Sequence, residues 1–580
     1  MNVLKLHFKS IAKVKIKSKV IFFIFLVTYS LCSTSMYSQN EEKKITGRVV
    51  DEQGELMVGV TITEVDSHPV NGVITDVNGN YQIFVKSSGS SLKFSFVGYK
   101  DYDIKVGNLN VIDVTMQESI TELDEVVAVA FGTQRKKDVI GSVTSLKLSD
   151  LRVPSSNLTT VLAGQAAGII SYQRTGEPGE DNANFFIRGI TSFGVGKKDP
   201  LILIDGIELG VTELARMRPD DIESFSIFKD ATSTALYGAR GANGVIYVTT
   251  KQGVEGPPRI SMRAEGTLSM PTKDIEFADP VTYMKLYNDA LYSRDPFAPP
   301  IYSREKIDET ELGRYPIIYP AIDWRESLFK DNAFNQRYDL SVSGGGNIAR
   351  YFVSGSFSQD NGILRVDKKN NFNNNIDLKS YTLRANVNIF LTKTSELIVR
   401  LNGNFDNYVG PIDGGNEVYY KVVRTSPVDF PPYYPVDEDH KYVQHIMFGG
   451  LKDRAFLNPY ADMVKGYREY DRSLMMAQME FKQDLDFITK GLKFRTLFNT
   501  NRISRFDKIR QYKPFYYELS SFDKRTGKYS IDVINEQSGE EFLDFWSDEW
   551  ARVQQSIFYA ESALTYNNTF KEDHTVSVLL

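Results

Sequence analysis

A chain of 580 residues is long enough for several domains, each with a buried core. Its formal charge of −6 is small for that length and no lysine/arginine-rich face stands out after the first twenty residues, which argues against nucleic acid as a partner. Aromatic residues reach 12%, with 36 Phe and 32 Tyr against 3 Trp, a level some soluble proteins reach and the interfacial girdles of membrane barrels demand.

The first elements set a compartment. Lys5, Lys9, Lys13, Lys15, Lys17 and Lys19 precede the apolar run Val20-Ile-Phe-Phe-Ile-Phe-Leu-Val27, and Ser30, Ser33, Thr34, Ser35 and Ser38 follow it. That order predicts a cleaved secretory signal over residues 1–38, and the apolar run is short for a membrane-spanning anchor. The single cysteine, Cys32, lies within it. Leu31 is not the small residue a lipoprotein signal needs, so the mature chain is cysteine-free. Beyond residue 40 no apolar stretch is long enough for a transmembrane helix, which leaves a closed β-barrel as the only spanning form.

Residues 43–117 read as a small β-sandwich. Ile45–Val50, Gly59–Thr63, Tyr81–Val85, Leu92–Val97 and Val111–Met116 are short strand-like runs separated by turn signals such as Asp76-Val-Asn-Gly-Asn80. That turn has the start of a calcium loop, but Ser87 stands where the bidentate glutamate belongs, so a tight turn is expected. Next comes an acidic-hydrophobic strand, Leu123-Asp-Glu-Val-Val-Ala-Val-Ala-Phe-Gly132, within a segment spanning residues 121–132.

From 133 to 253 strand and helix signals alternate. Ser155 or Ser156 is placed to cap a helix from Leu158 to Ala167, stopped by Gly168. Phe185–Gly189 and Pro200–Asp205 are apolar strand candidates, and Asp230 caps a short helix ending at Gly238. Gly238, Gly241 and Gly244 lack both P-loop and dinucleotide-binding spacing, so they read as tight-turn and packing glycines.

After Gly253 long alternating runs appear in pairs. Counting Arg259–Arg263, nine strands are expected: Arg337–Ser343 with Arg350–Ser358, Tyr381–Ile389 with Glu396–Phe405, Leu474–Phe481 with Leu492–Asn499, and Ser556–Tyr566 with Thr575–Leu579. Links within pairs are short and links between pairs are long, the pattern of an outer-membrane barrel; a large soluble β-sandwich is the alternative. His440 and His445, near Asp437 and Asp439, are spaced off one helical face and read as loop residues. With no Gly-x-Ser-x-Gly elbow and no mature cysteine, neither catalysis nor a metal or cofactor is expected.

Several blocks resemble known families. Gly47–Asp51, Gly72–Tyr81 and Phe96–Tyr99 resemble the carboxypeptidase regulatory-like (transthyretin-like) sandwich, which implies a non-catalytic accessory module. Everything after the signal is similar to the SusC/RagA family of TonB-dependent outer-membrane transporters. Asp220–Ser224 and Lys229–Lys251 follow the family's plug signature, with Leu162–Gly168 and Ile187-Arg-Gly189 as earlier plug blocks. The signature positions are Asp205, Gly206, Lys229, Asp230, Tyr237, Gly238, Arg240, Gly241, Asn243 and Gly244. Leu123–Val127 with Phe131–Asp138 matches the region of the Ton box, which the resemblance places on Asp124, Glu125, Val126, Val127, Ala128 and Val129; the first plug strand is the alternative.

The resemblance implies a mainly β fold of sandwich, α/β plug (133–253) and the first part of an antiparallel transmembrane β-barrel (254–580). It implies import across a Gram-negative outer membrane, with the C-terminal domain of TonB in the periplasm, a SusD-like surface lipoprotein and outer-membrane lipid as partners. Cargo would be oligosaccharide or peptide; a non-transporting receptor or adhesin is the rival. Plugged transporters close with 22 strands, so nine strands ending at Leu580 suggest a fragment.

Overall fold

The computed structural model describes residues 43–580, apart from 52–53, 66, 68–70, 88, 97–98, 118–125, 130–131, 136–141, 147–152, 154, 190–197, 453–457, 547–551 and 571–573. The expected signal, together with Asp124 and Glu125, lies outside the described residues. Two compact units divide between Glu125 and Val126.

The first unit is a two-sheet sandwich. Asn80–Val85, Lys43–Val50 and Val114–Thr115 form one sheet; Gly72–Ile74, Thr61–Glu64, Ser91–Ser95 and Tyr102–Lys105 form the other. Alternation decides what goes inside. Along Asn80–Val85, Tyr81, Ile83 and Val85 are buried and the residues between them exposed, and they join Ile45, Val49, Ile62, Leu92 and Phe94 in one core. Gly72–Ile74 and Tyr102–Lys105 are additional to the five runs legible in the sequence. Asp76 closes a turn by accepting from the backbone N–H of Asn80 and of Asn78, both at 2.9 Å, and these bonds hold its carboxyl below the ordinary value. The loop is thus a tight turn, as its sequence indicates.

The second unit contains the plug and a large sheet. The plug sheet runs in the order Val143–Leu146, Ile222–Phe228, Val245–Thr250, Leu201–Ile204, Ile207–Leu209. Leu201–Ile204 pairs parallel with Val245–Thr250, and all four of its residues are buried, as expected of a strand covered on both faces. Asp205 and Gly206, both at positive φ, make the tight turn into Ile207–Leu209. The expected helix after Ser155 is shorter than its sequence suggests. It covers Leu158–Val161, and Asn157 rather than Ser155 or Ser156 caps it, accepting from the Thr159 N–H at 3.0 Å.

The large sheet has ten strands, one more than expected. Nine follow one another in chain order: Gly256–Ser269, Ala333–Gly345, Ala349–Asn361, Asp377–Phe390, Ser395–Gly410, Gly466–Asp484, Leu492–Lys513, Arg552–Phe570 and His574–Leu579. Glu540–Trp546 is the tenth, beside the end of Leu492–Lys513. Rows across the sheet show its two faces. Ile260, Val342, Val353, Ala385, Leu401, Ala477, Thr500 and Phe558 lie in register on one face. One residue along, Ser261, Ser341, Ser354, Arg384, Asn402, Met476, Asn501 and Ile557 lie on the other. The apolar face is exposed, with Ile260 at 73% and Phe558 at 71%, whereas Arg384 on the polar face is 4% exposed. An apolar outside and a polar inside are what a barrel wall in lipid requires. Tyr338, Phe357 and Tyr381 continue one row on the outside, with ring centroids 6.3 and 5.1 Å apart, as in an interfacial girdle.

Short turns close one end of the wall. At the other end the long links are folded rather than open. They carry the helices Pro280–Arg294, Arg304–Glu311, Trp324–Leu328, Gly414–Arg424 and Pro459–Val464, and a sheet of Tyr433–Tyr434, Met447–Gly449, Phe515–Asp523 and Lys528–Val533. Trp324, Phe430, Phe448 and Tyr460 share a core there. His440 bonds Asp437 at 2.7 Å, and His445 bonds Glu541 at 2.7 Å and Tyr517 at 2.9 Å. Among the described residues no group of three or more His, Cys, Asp or Glu is placed to hold a metal ion.

Candidate functional site: the seam between plug and wall

Charged side chains on the plug meet charged side chains on the inner face of the wall, strand after strand. Asp220 lies 3.1 Å from Arg263, Arg218 3.6 Å from Asp339, and Asp221 3.6 Å from Arg384. Asp205 lies 4.0 Å from Arg400, and Arg216 3.6 Å from Asp406; Glu213 pairs with Arg472, which also reaches Asp406 at 3.6 Å. Arg216, Arg218, Asp221, Arg384, Arg400 and Asp406 are all less than 9% exposed. Burial, with Arg337 as a neighbour, pushes the Arg218 guanidinium down to about 10, which leaves it charged at neutral pH.

Local structure sets these groups in place. Pro219 opens a single turn of 3-10 helix that presents Arg218, Asp220 and Asp221 just before Ile222–Phe228. Asp205 is held from behind: its carboxylate accepts from the Thr250 N–H at 2.9 Å and the Thr250 hydroxyl at 2.7 Å. The wall completes the contact, Asn386 donating to the Thr250 hydroxyl at 2.8 Å and Gln478 to the Asp205 carbonyl at 3.1 Å.

The remaining signature residues are architectural. Asp230 caps Ala231–Thr234 by accepting from the Ser233 N–H at 2.8 Å, and it also accepts from the Ser142 N–H at 2.6 Å, at the entrance to Val143–Leu146. Lys229 donates to the Ala167 carbonyl, Asn243 donates to the Asp199 carbonyl at 3.5 Å, and Arg240 pairs with Glu208. Tyr237 packs its ring 6.5 Å from that of Phe228, and burial raises its hydroxyl well above the ordinary value. Gly238 and Gly244 have positive φ, and a Cβ on Gly244 would stand 2.7 Å from Ile187 Cδ1. Val126–Val129 forms a two-stranded antiparallel ladder with Gly132–Arg135.

At the short-turn end a cavity of about 1160 Å³ separates the plug from the wall. Its lining is charged: Asp205, Glu208 and Arg240 from the plug, Glu480, Arg495 and Glu561 from the wall. Arg400 and Arg495 both bond Glu480, at 2.7 and 2.6 Å.

Residues 135–245 match the TonB-dependent Receptor Plug Domain family, and residues 45–128 the CarboxypepD_reg-like domain family. TonB-dependent receptor P3 of Formosa agariphila is 29% identical over 513 residues, 86% of this chain and 45% of the relative. TonB-dependent receptor SusC of Bacteroides thetaiotaomicron is 29% identical over 372 residues, 62% of this chain and 34% of the relative. The chain is similar to SusC/RagA-like TonB-dependent receptors. The fold is also that of a solved structure of the RagAB peptide importer in its open-open state, with a TM-score of 0.55 at 20% identity over 78% of this chain and 48% of that one. The chain spans less than half the length of these relatives.

Sequence reasoning found Asp205 but not its partner, and it missed Glu213, Arg216, Arg218 and their wall partners. The signal was present as strand parity: Arg384, Arg400 and Glu480 alternate with outward apolar residues, and a charge at such a position is expected to face inward.

Proposed function

We propose that the protein imports a nutrient across the outer membrane, with the plug gating the barrel and TonB supplying the work. The observation that carries this reading is the ionic seam. Exposing an apolar interface to water costs about 25 cal/mol per Å², whereas ion pairs exchanged for hydration come close to breaking even. A plug seated on charges is held in one register yet can be drawn off into a water-filled lumen.

The pull enters through Asp124, Glu125, Val126, Val127, Ala128 and Val129. An extended segment of this kind joins a partner's sheet through main-chain hydrogen bonds, and its acidic start suits a basic partner such as the C-terminal domain of TonB. Downstream, the Ser142–Asp230 bond carries the load into the plug. A SusD-like surface lipoprotein covers the long-loop end, and the cargo is an oligosaccharide or a peptide. A non-transporting adhesin would have no use for a releasable seam.

Proline at Val127 removes a ladder donor. V127P is therefore expected to abolish energy-dependent uptake while leaving the amount of protein at the cell surface unchanged. Normal uptake of labelled oligosaccharide or peptide by cells carrying that variant would overturn the assignment.

A further inference from the structure

One contact of the plug reaches past the wall strands to a helix of the long links. The plug hairpin of Ile169–Tyr172 with Asn184–Ile187 carries the tetrad Glu177-Pro-Gly-Glu180 in its connecting loop. Proline fixes the first corner of this turn, Gly179 at φ +95° makes the second, and the Glu180 N–H donates to the Glu177 carbonyl at 3.0 Å, which is a type II turn. Gly179 lies against the stacked rings of Tyr408 and Tyr470, whose centroids are 4.7 Å apart. A Cβ there would stand 2.9 Å from the Tyr470 hydroxyl oxygen, so the turn fits closely against the wall. Tyr408 and Tyr470 stand near the long-loop ends of Ser395–Gly410 and Gly466–Asp484, and the turn therefore holds Glu177 at that end.

Glu177 meets the start of Gly414–Arg424. One carboxylate oxygen accepts from the Gly415 N–H and the other from the Asn416 N–H, both at 3.0 Å. These N–H groups belong to the first turn, where a helix has no donors' partners of its own. The residue placed to cap the helix is engaged elsewhere: Asp413 makes no side-chain bond to the first turn, and its carboxylate accepts from Lys465 at 2.7 Å. The plug thus supplies the cap that the loop lacks. Burial raises the Glu177 carboxyl above its ordinary value, and the two N–H groups pull it back down. Further along the same helix, Val418 and Val422 are buried with Trp324, Phe430, Phe448 and Tyr460, so one element carries both the capped end and part of the outer loop core.

We propose that Glu177 is a latch between the plug and the outer loops. The seated plug caps Gly414–Arg424, and withdrawal of the plug uncaps the helix and loosens the loop core around Val418. Coupling of this kind is reciprocal, so whatever holds the helix in place from outside also favours the seated plug. Glu177 is a positioning residue, acting through the helix rather than on cargo. The latch itself needs only the seat of the plug; its use in import rests on the transport reading above.

Hydrogen exchange of the full chain in detergent, read at the Gly415 and Asn416 amides, tests the latch. E177A is expected to speed exchange there about tenfold, as loss of hydrogen bonds to a charged group should, and D413A to leave it unchanged. D221N, which breaks the buried pair of Asp221 with Arg384, is expected to speed exchange at the same two amides and to add nothing in the E177A background. A cap with only a structural role would respond to E177A and not to D221N. The latch is overturned if D221N leaves both amides as protected as in the wild type, if D413A exchanges as fast as E177A, or if D221N acts as strongly once Glu177 is gone. Should D221N fail to assemble, R263Q takes its place by breaking the less buried pair of Arg263 with Asp220. TonB takes no part in this measurement, so its failure would overturn the latch alone, whereas normal uptake by V127P would overturn the transport reading alone.

Discussion

Asp221 and Arg384 show what a single residue contributes to the seam. Both are at least 95% buried and they face one another across the seam at 3.6 Å, so removing one leaves the other as an uncompensated buried charge. Breaking such a pair costs about 3–5 kcal/mol, whereas replacing both partners with apolar groups of similar size is close to neutral. D221N is therefore expected to loosen the plug by several kcal/mol, read as faster hydrogen exchange in Ile222–Phe228. D221L/R384M should restore most of that protection. If the double variant is as loose as the single one, the pair does not hold the plug. Gly244 belongs to the same scale: its φ of +87° and the approach of Ile187 both oppose a side chain. Why Asp205 was legible and Asp221 was not is equally local. Asp-Gly before a strand announces a turn, but an aspartate in Pro219-Asp-Asp221 looks like any solvated loop acid until its partner, far along the chain, is known.

Among elements, the edge strand Val143–Leu146 is the one a pull from the N-terminal side loads first. It is four residues long, pairs among the described residues only with Ile222–Phe228, and is fastened at its start by Ser142 on Asp230. The Asp230 carboxyl is held below its ordinary value, first by the Ser233 N–H and then by the Ser142 N–H. A carboxylate whose folded value is depressed contributes stability above its unfolded value near 3.9 and loses it as pH falls through the folded value. D230A should therefore cost about 1 kcal/mol at neutral pH, the worth of an N-cap. In denaturant titrations the gap between D230A and wild type should stay constant from pH 8 to pH 5 and close below pH 4; a gap that widened in acid would refute the role. The elements most legible beforehand were those with long regular alternation. The nine wall strands that follow one another in chain order read that way, because each residue's face is fixed by the alternation between an apolar outside and a polar inside. Glu540–Trp546 and the sheet holding Tyr433–Tyr434 and Met447–Gly449 escaped notice: their strands are short, and their contacts lie in other loops rather than in neighbouring residues.

For the whole molecule, the decisive property is that polarity is sorted by wall face and not by depth in a core. Leu401 sits in the apolar row between Ala385 and Ala477 and is 50% exposed, while Asn402, one residue on, is 7% exposed against the plug side. In a soluble sheet an arginine at so exposed a position would be nearly free of cost. In lipid the same charge near the middle of the band costs about 2–4 kcal/mol. Leu401→Arg is therefore expected to lower the fraction that inserts into vesicles, shifting the urea midpoint of insertion downward, while Leu401→Ile leaves it unchanged. In detergent, where the headgroup layer lies closer and the belt is deformable, the penalty of Leu401→Arg should shrink. A wall that tolerated arginine at 401 equally in vesicles and in detergent would not be facing acyl chains, and the outward row from Ile260 to Phe558 would need another apolar neighbour.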